Sequence, residues 1–167
     1  MTNRIFLLGD DIDTDQLAPG QAMAGGLSAL AGHCLGAVRP DFAASVKPGD
    51  VLVAGRNFGM GSSREQAAEV LKHLGVAGVV ARSFAGIFYR NAINLGLPAM
   101  IARDLDDISD GDAAELDVAR DELRLTEKKL VVQLEPLPEY LKRLLADGGL
   151  VPQLKKRFAA ERARLAD

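Results

Sequence analysis

The residues most able to do chemistry lie together in Asn57-Phe58-Gly59-Met60-Gly61-Ser62-Ser63-Arg64-Glu65. Two glycines, two hydroxyls and an arginine stand where an apolar run becomes an amphipathic helix. Upstream, Val51-Leu52-Val53-Ala54 reads as a strand; downstream, Ala67, Val70, Leu71 and Leu74 recur at helical spacing. A strand–glycine loop–helix junction presents free backbone N–H groups and the positive end of a helix dipole, which suits an anion. Arg64 adds a planar donor fork for a carboxylate or phosphate.

The nucleotide motifs fail here on residue type. A phosphate loop needs Gly-Lys-Ser/Thr after its first glycine, and no such run follows Gly55 or Gly59. The dinucleotide fingerprint needs a third glycine where Arg64 stands. A small carboxylate gripped by Arg64 and hydroxyls is the better fit. The serines carry a second reading, since Ser62 with Glu65 and Ser63 with Gln66 both spell a capping box. The latter register lets Ser63 close the helix and leaves the Ser62 hydroxyl for a ligand. The plainer alternative is that both serines only finish the helix.

Other residues narrow the classes. With 167 residues the chain is expected to form a single domain, residues 1–167, with a core that needs no staples. Twenty basic and 23 acidic residues advertise no nucleic-acid surface, and two tyrosines without tryptophan make a poor base-stacking platform. No apolar run reaches the ~20 residues of a membrane span, and the N-terminus lacks a signal-peptide pattern, so cytoplasm is the expected location. Cys34 is the only cysteine, and His33 and His73 the only histidines. An iron–sulfur cluster takes three or four cysteines, so this chain is expected to hold neither cluster nor zinc alone. Four carboxylates in Asp10-Asp11-Ile12-Asp13-Thr14-Asp15 suggest calcium, but Asp15 stands where an EF-hand loop has glycine. Turn-forming aspartates explain the run better.

The elements that position these residues are legible in the middle of the chain. Arg4 to Leu8 reads as a first strand, and Pro19 to Gly36, with five glycines, as a mobile segment holding a short helix. Strand Val51–Ala54, a helix closed by Gly75, strand Val76–Ala81, a helix capped by Ser83 and ended by Gly96, and strand Leu97–Ile101 then follow. In the second helix Phe84, Ile87, Phe88, Ala92 and Leu95 share the core face, and Tyr89, Arg90, Asn91 and Asn94 read as structural. This β-α-β-α-β order predicts a parallel sheet whose loops Arg56–Arg64 and Arg82–Ser83 open on one side, where ligands bind. Alternating Leu116/Val118, Leu123/Leu125 and Leu130/Val132 predict short antiparallel strands, and two helices follow, about Glu139–Ala146 and Val151–Leu165.

Three stretches together resemble a known family. Gly9 to Gln16, Val53 to Glu65 and Ser83 to Pro98, in this order, are similar to the small subunits of 3-isopropylmalate dehydratases, the separately encoded swivelling domain of the aconitase superfamily. Glu135-Pro136-Leu137-Pro138 and Gly148-Gly149-Leu150 resemble the family's C-terminal part, so the likeness covers nearly the whole chain. It implies an α/β fold of the swivelling β/β/α type, with a parallel β-α-β-α-β core, short antiparallel strands and C-terminal helices. It implies a hydro-lyase subunit, active in a heterodimer or heterotetramer with a large subunit that carries a [4Fe–4S] cluster. The reaction implied is isomerisation of 2-isopropylmalate to 3-isopropylmalate, in leucine biosynthesis, by dehydration and rehydration. By the resemblance Ser62 is the base, Ser63 and Arg64 hold a substrate carboxylate, and Thr14 and Asp15 border the site.

The chain also departs from that pattern. Met60 stands where many of these subunits have cysteine and Gln66 where histidine is common. Gln21 to Leu30 lacks the Tyr-Leu-Arg-like stretch that reads the substrate's side group. A dimethylmalate or a homoaconitate-type substrate is therefore an alternative, the second weakened by the missing arginine. A non-catalytic module on the same fold is the other; Ser62, Ser63 and Arg64 together speak against it.

Overall fold

A computed structural model describes residues 3–166. Its centre is a four-stranded parallel sheet of β1 (Ile5–Leu7), β2 (Val51–Ala54), β3 (Gly78–Ala81) and β4 (Ala99–Ile101), in that spatial order. The register pairs Ile5 with Val51, Val51 with Gly78 and Val79 with Ala99. Strands buried on both faces should be apolar without alternation, which Val51-Leu52-Val53-Ala54 is.

The two faces sort by residue parity. Phe6, Leu52, Ala54, Val79 and Ala81 point into one core, with helical residues such as Leu17, Phe42, Leu71 and Phe88. Ile5, Val51, Val53, Val80 and Met100 point into the other, against Ala114, Leu123 and Leu125. The second core is closed by an antiparallel sheet of β5 (Ala114–Asp117), β6 (Glu122–Leu125) and β7 (Leu130–Gln133). Helices, parallel sheet and antiparallel sheet thus form the β/β/α layering that the family resemblance implied.

The helical layer holds α1 (Thr14–Leu17), a 3₁₀ segment (Gly20–Gly25), α2 (Gly26–His33), α3 (Phe42–Ser45), α4 (Gln66–His73) and α5 (Gly86–Asn94). Most of the glycine-rich stretch is therefore helical. At the C-terminus come α6 (Glu139–Ala146) and α7 (Leu150–Ala166). Gly75 and Gly96, at φ +79° and +81°, end α4 and α5 in the left-handed conformation that glycine adopts without strain.

Three local expectations are corrected. Helix α4 begins at Gln66 with Glu65 at its N-cap and no side-chain cap, so neither serine closes it. Helix α5 begins at Gly86 with Ala85 at the N-cap, so Ser83 does not cap it either. Both caps fail because the chain turns into each helix later than the hydroxyls, which bond across the loops instead. Ile87 is 45% exposed, whereas Phe88 is buried, because the helix starts two residues past Phe84 and turns Ile87 outward.

Candidate functional site

The site lies where β1, β2 and β3 end at their carboxyl ends. There the backbone stitches three loops together. Gly55 N donates to Gly9 O at 3.1 Å, and Arg82 N donates to Gly55 O at 3.0 Å. Farther out, Gly59 N donates to Ile12 O at 2.7 Å and Thr14 N to Met60 O at 2.9 Å. On the other side Phe58 N donates to Ser83 O at 3.0 Å and Ala85 N to Phe58 O at 2.9 Å. The serine loop is thus sewn to the acidic loop on one flank and to the start of α5 on the other.

The acidic residues are part of the stitching. Asp10 Oδ1 accepts from Arg56 N at 2.6 Å, and Gly55 leaves the room, since a Cβ there would lie 1.8 Å from that oxygen. Asp13 caps α1 in a full capping box: its carboxylate accepts from Gln16 N at 2.8 Å, and Gln16 Oε1 accepts from Asp13 N at 2.9 Å. Asp11 and Asn57 both take positive φ, 56° and 60°, which Asp and Asn tolerate best among side-chain-bearing residues. Their side chains meet, Asn57 Nδ2 donating to Asp11 Oδ1 at 3.1 Å. Asn57 N donates to Ser83 Oγ at 2.8 Å, which is where the Ser83 hydroxyl is spent.

Four of the five residues singled out by sequence converge. Ser62 is exposed, and its Oγ lies 3.2 Å from Oγ1 of the buried Thr14. Arg64 pairs through Nη1 with the Asp15 carboxylate and donates to Ala18 O at 3.0 Å. The fork is therefore partly engaged, with Nη2 and Nε left for a ligand. Ser63 is exposed on the same turn, and its side chain makes no hydrogen bond among the described residues. The amides of Ser63, Glu65 and Gln66 have no acceptor among the described residues. An uncapped start of α4 beside Arg64 and two hydroxyls forms a surface for a small carboxylate.

Asp10, Asp13, Asn57 and Ser83 shape the loops rather than face the ligand; sequence reasoning read the aspartates as turn formers and Ser83 as a helix cap, and gave Asn57 no role. The signal for Asn57 was present, because an Asn before an apolar residue and a glycine is a common left-handed position. No sequence signal linked Asp10 to the amide of a residue 46 positions on.

A resident metal finds no ligand set here. No group of three or more His, Cys, Asp or Glu is arranged for a metal among the described residues. Cys34 is fully buried, and burial pushes its thiol up to about 12, so it stays protonated and unfit as a ligand. No described helix is long and apolar enough to cross a membrane.

Comparison with known proteins joins this geometry to a family. Residues 39–103, which contain the serine loop and β2 to β4, match the aconitase C-terminal domain. A 3-isopropylmalate dehydratase small subunit 2 from Archaeoglobus fulgidus is 46% identical over 158 residues, 93% of this chain and 95% of that protein. The chain belongs to the 3-isopropylmalate dehydratase small-subunit family. A homoaconitase small subunit from Methanothermobacter thermautotrophicus is also 46% identical, over 149 residues covering 89% of this chain and 86% of its own. The crystal structure of 3-isopropylmalate dehydratase from Methanocaldococcus jannaschii superposes with a TM-score of 0.90 at 44% identity, covering 98% of each chain. In this family the fold of the small subunit is the aconitase-type α/β domain seen here, and the relatives are subunits of hydro-lyases.

Proposed function

We propose that this chain is the base-bearing swivelling domain of a two-subunit hydro-lyase that converts 2-isopropylmalate to 3-isopropylmalate in the cytoplasm. The observation that carries this reading is Ser62, exposed among the described residues at the rim of the parallel sheet, beside Arg64 and free amides. Such a half-site needs a second polypeptide to complete it. The names of the relatives, small subunits, fit a large partner. The single cysteine of this chain cannot supply the three or four that a cluster takes, so the [4Fe–4S] cluster would be held by that partner, where it would supply a Lewis acid for the departing hydroxyl.

The residues of this chain do the rest. Arg64, the amides of Ser63, Glu65 and Gln66, and the Ser63 hydroxyl bind a substrate carboxylate. Ser62 Oγ, deprotonated, takes the proton from the carbon beside that carboxylate. The C–H pair becomes the C=C bond as the C–O bond breaks and hydroxide leaves with its own pair. Water then adds across the alkene in the opposite sense, with the proton returned from Ser62. A serine hydroxyl ionises too poorly at neutral pH to act unaided, so it depends on the helix start, Arg64 and a site closed to water. Thr14 and Asp15 border this centre, Asp15 holding Arg64 until the substrate carboxylate competes for it.

Homoaconitate-type chemistry is the second reading, because a relative named for it is also 46% identical, over a somewhat shorter stretch. It would need a cation for an extra carboxylate, and residues 20–30 supply none; Gln21 and Ala22 instead line a groove of about 560 Å³ beside Asp15. The deciding experiment reconstitutes the chain anaerobically with its large subunit, iron and sulfide, and assays 2-isopropylmalate, dimethylmalate and homocitrate. Ser62→Ala is expected to lower kcat by about 10²–10⁴-fold while the two subunits still associate. Full turnover in that variant would remove Ser62 from the mechanism.

A further inference from the structure

The reaction scheme leaves one buried group beside Ser62 without a task, the hydroxyl of Thr14. Thr14 is 2% exposed and opens α1. Its backbone is held on both sides, its N–H donating to Met60 O at 2.9 Å and its carbonyl accepting from Ala18 N at 2.9 Å. Its Oγ1 has one hydrogen-bonding partner among the described residues, Ser62 Oγ at 3.2 Å. A buried hydroxyl must place its proton on an acceptor. Either hydroxyl could donate; the direction with Thr14 donating satisfies the buried group, since the exposed Ser62 can turn its own proton outward.

That direction matters for chemistry. It turns the proton of Ser62 away from Thr14, toward the exposed side of the loop. Once that proton is gone, the Thr14 O–H is already aimed at the oxyanion, and a fixed donor stabilises new charge better than water that must reorient. Gly61 gives a separate sign that the contact is built. The loop passes Thr14 at φ +102°, and a Cβ at position 61 would lie 3.2 Å from Thr14 Oγ1. A side chain there would be strained at this φ and tight against the hydroxyl, so glycine suits the close pass.

Resting on the assignment of Ser62 as the base, we infer that Thr14 is a positioning residue, whose hydroxyl proton orients Ser62 and holds its deprotonated form instead of contacting the substrate. The test uses the reconstituted two-subunit enzyme. Thr14→Val keeps the β-branched shape and removes the donor. It should lower kcat on the order of 10²-fold with KM nearly unchanged. Losing a bond to the charged form makes Ser62 a weaker acid, so the basic pH at which kcat levels off should move upward. Thr14→Ser should restore most of the turnover and the original profile. Thr14→Ala should show the same upward displacement as Thr14→Val, which guards against a misfolded valine variant. Added to Ser62→Ala, Thr14→Val should cause no further loss. A wild-type kcat and pH profile in Thr14→Val would overturn the inference, as would a Thr14→Ser variant as impaired as the valine one, because a hydroxyl alone would then not carry the role. If Ser62→Ala turns over normally, the base assignment itself has failed; if it is dead while Thr14→Val is normal, only the inference about Thr14 has.

Discussion

The rim that carries Ser62 and the antiparallel sheet on the far face of the molecule are held together by opposite means. At the rim, three loops meet mainly through single backbone bonds and close approaches to glycine. In the β5–β7 sheet, charged side chains share partners. Arg124 bonds both Asp117 and Glu122, and Lys128 bonds Asp112, Ser109 and a carbonyl of Asp107. The rim therefore holds geometry tightly and tolerates little change, while the sheet is expected to absorb substitutions. Precision sits where a hydroxyl must be aimed, and redundancy sits where only a core must be covered.

The harshest way to break the rim is at Gly59. It takes φ +83°, and a Cβ there would lie 2.2 Å from Cγ of Phe88. Phe88 cannot yield, because it is buried and its ring packs edge-on to Phe58 with centroids 5.1 Å apart. Gly59→Ala should therefore combine left-handed strain with overpacking and cost about 3–5 kcal/mol. Chemical denaturation of the purified chain measures this directly. A loss below about 1 kcal/mol would mean that the loop can shift away from α5, and that the rim is less rigid than its contacts imply.

The far sheet has one point without redundancy, and it sharpens the contrast. Asp121, buried in the β5–β6 turn at φ 57°, accepts from Leu137 N at 3.0 Å and from Lys142 Nζ at 2.6 Å. It thereby ties the hairpin to α6. Asp121→Asn keeps a residue that tolerates left-handed φ but removes the nearest counter-ion of the mostly buried Lys142, which keeps the Ala119 carbonyl at 3.0 Å and the Glu139 carboxylate at 3.9 Å. The expected loss is about 2–3 kcal/mol, smaller than at Gly59 because the backbone is not strained. A neutral effect in the same denaturation measurement would show that Lys142 swings out to water at little cost.

These contacts also show which parts of the molecule were readable from sequence. The parallel core was, since Val51 to Ala54 can only be a doubly buried strand and glycines mark where α4 and α5 stop. The convergence of Ser62, Arg64 and Asp15 was readable through motif resemblance, but their contacts were not. Ser62 and Ser83 look like caps because cap preference is a local property, whereas their hydroxyls are claimed by residues 48 and 26 positions away. Ile87 looked like core because a helical period was counted from Phe84, which precedes the helix. Each miss came from a long-range partner or a helix start displaced by a residue or two, neither of which local spacing encodes.

The mildest change should be at Arg124. Its guanidinium donates to Asp117 Oδ2 and Glu122 Oε2, both at 2.9 Å, on the outer surface of the sheet. These pairs are partly exposed, and ion pairs near water contribute little net stability after desolvation and side-chain ordering. Asp117 also keeps other partners: its carboxyl is held below the usual range first by the backbone N–H of Arg120, against its own desolvation, and then by the Arg120 side chain. A carboxyl lowered in the folded state contributes stability above its unfolded value and loses it as pH falls through the folded one. Because the leading cause survives in Arg124→Ala, that variant should match the wild-type Tm at neutral pH and unfold over the same acid range. Thermal melts from pH 7 down to the carboxylate range check both. An early acid transition in the variant would mean that Arg124, and not the turn backbone, holds Asp117 ionised, and the sheet would then depend on single contacts as the rim does.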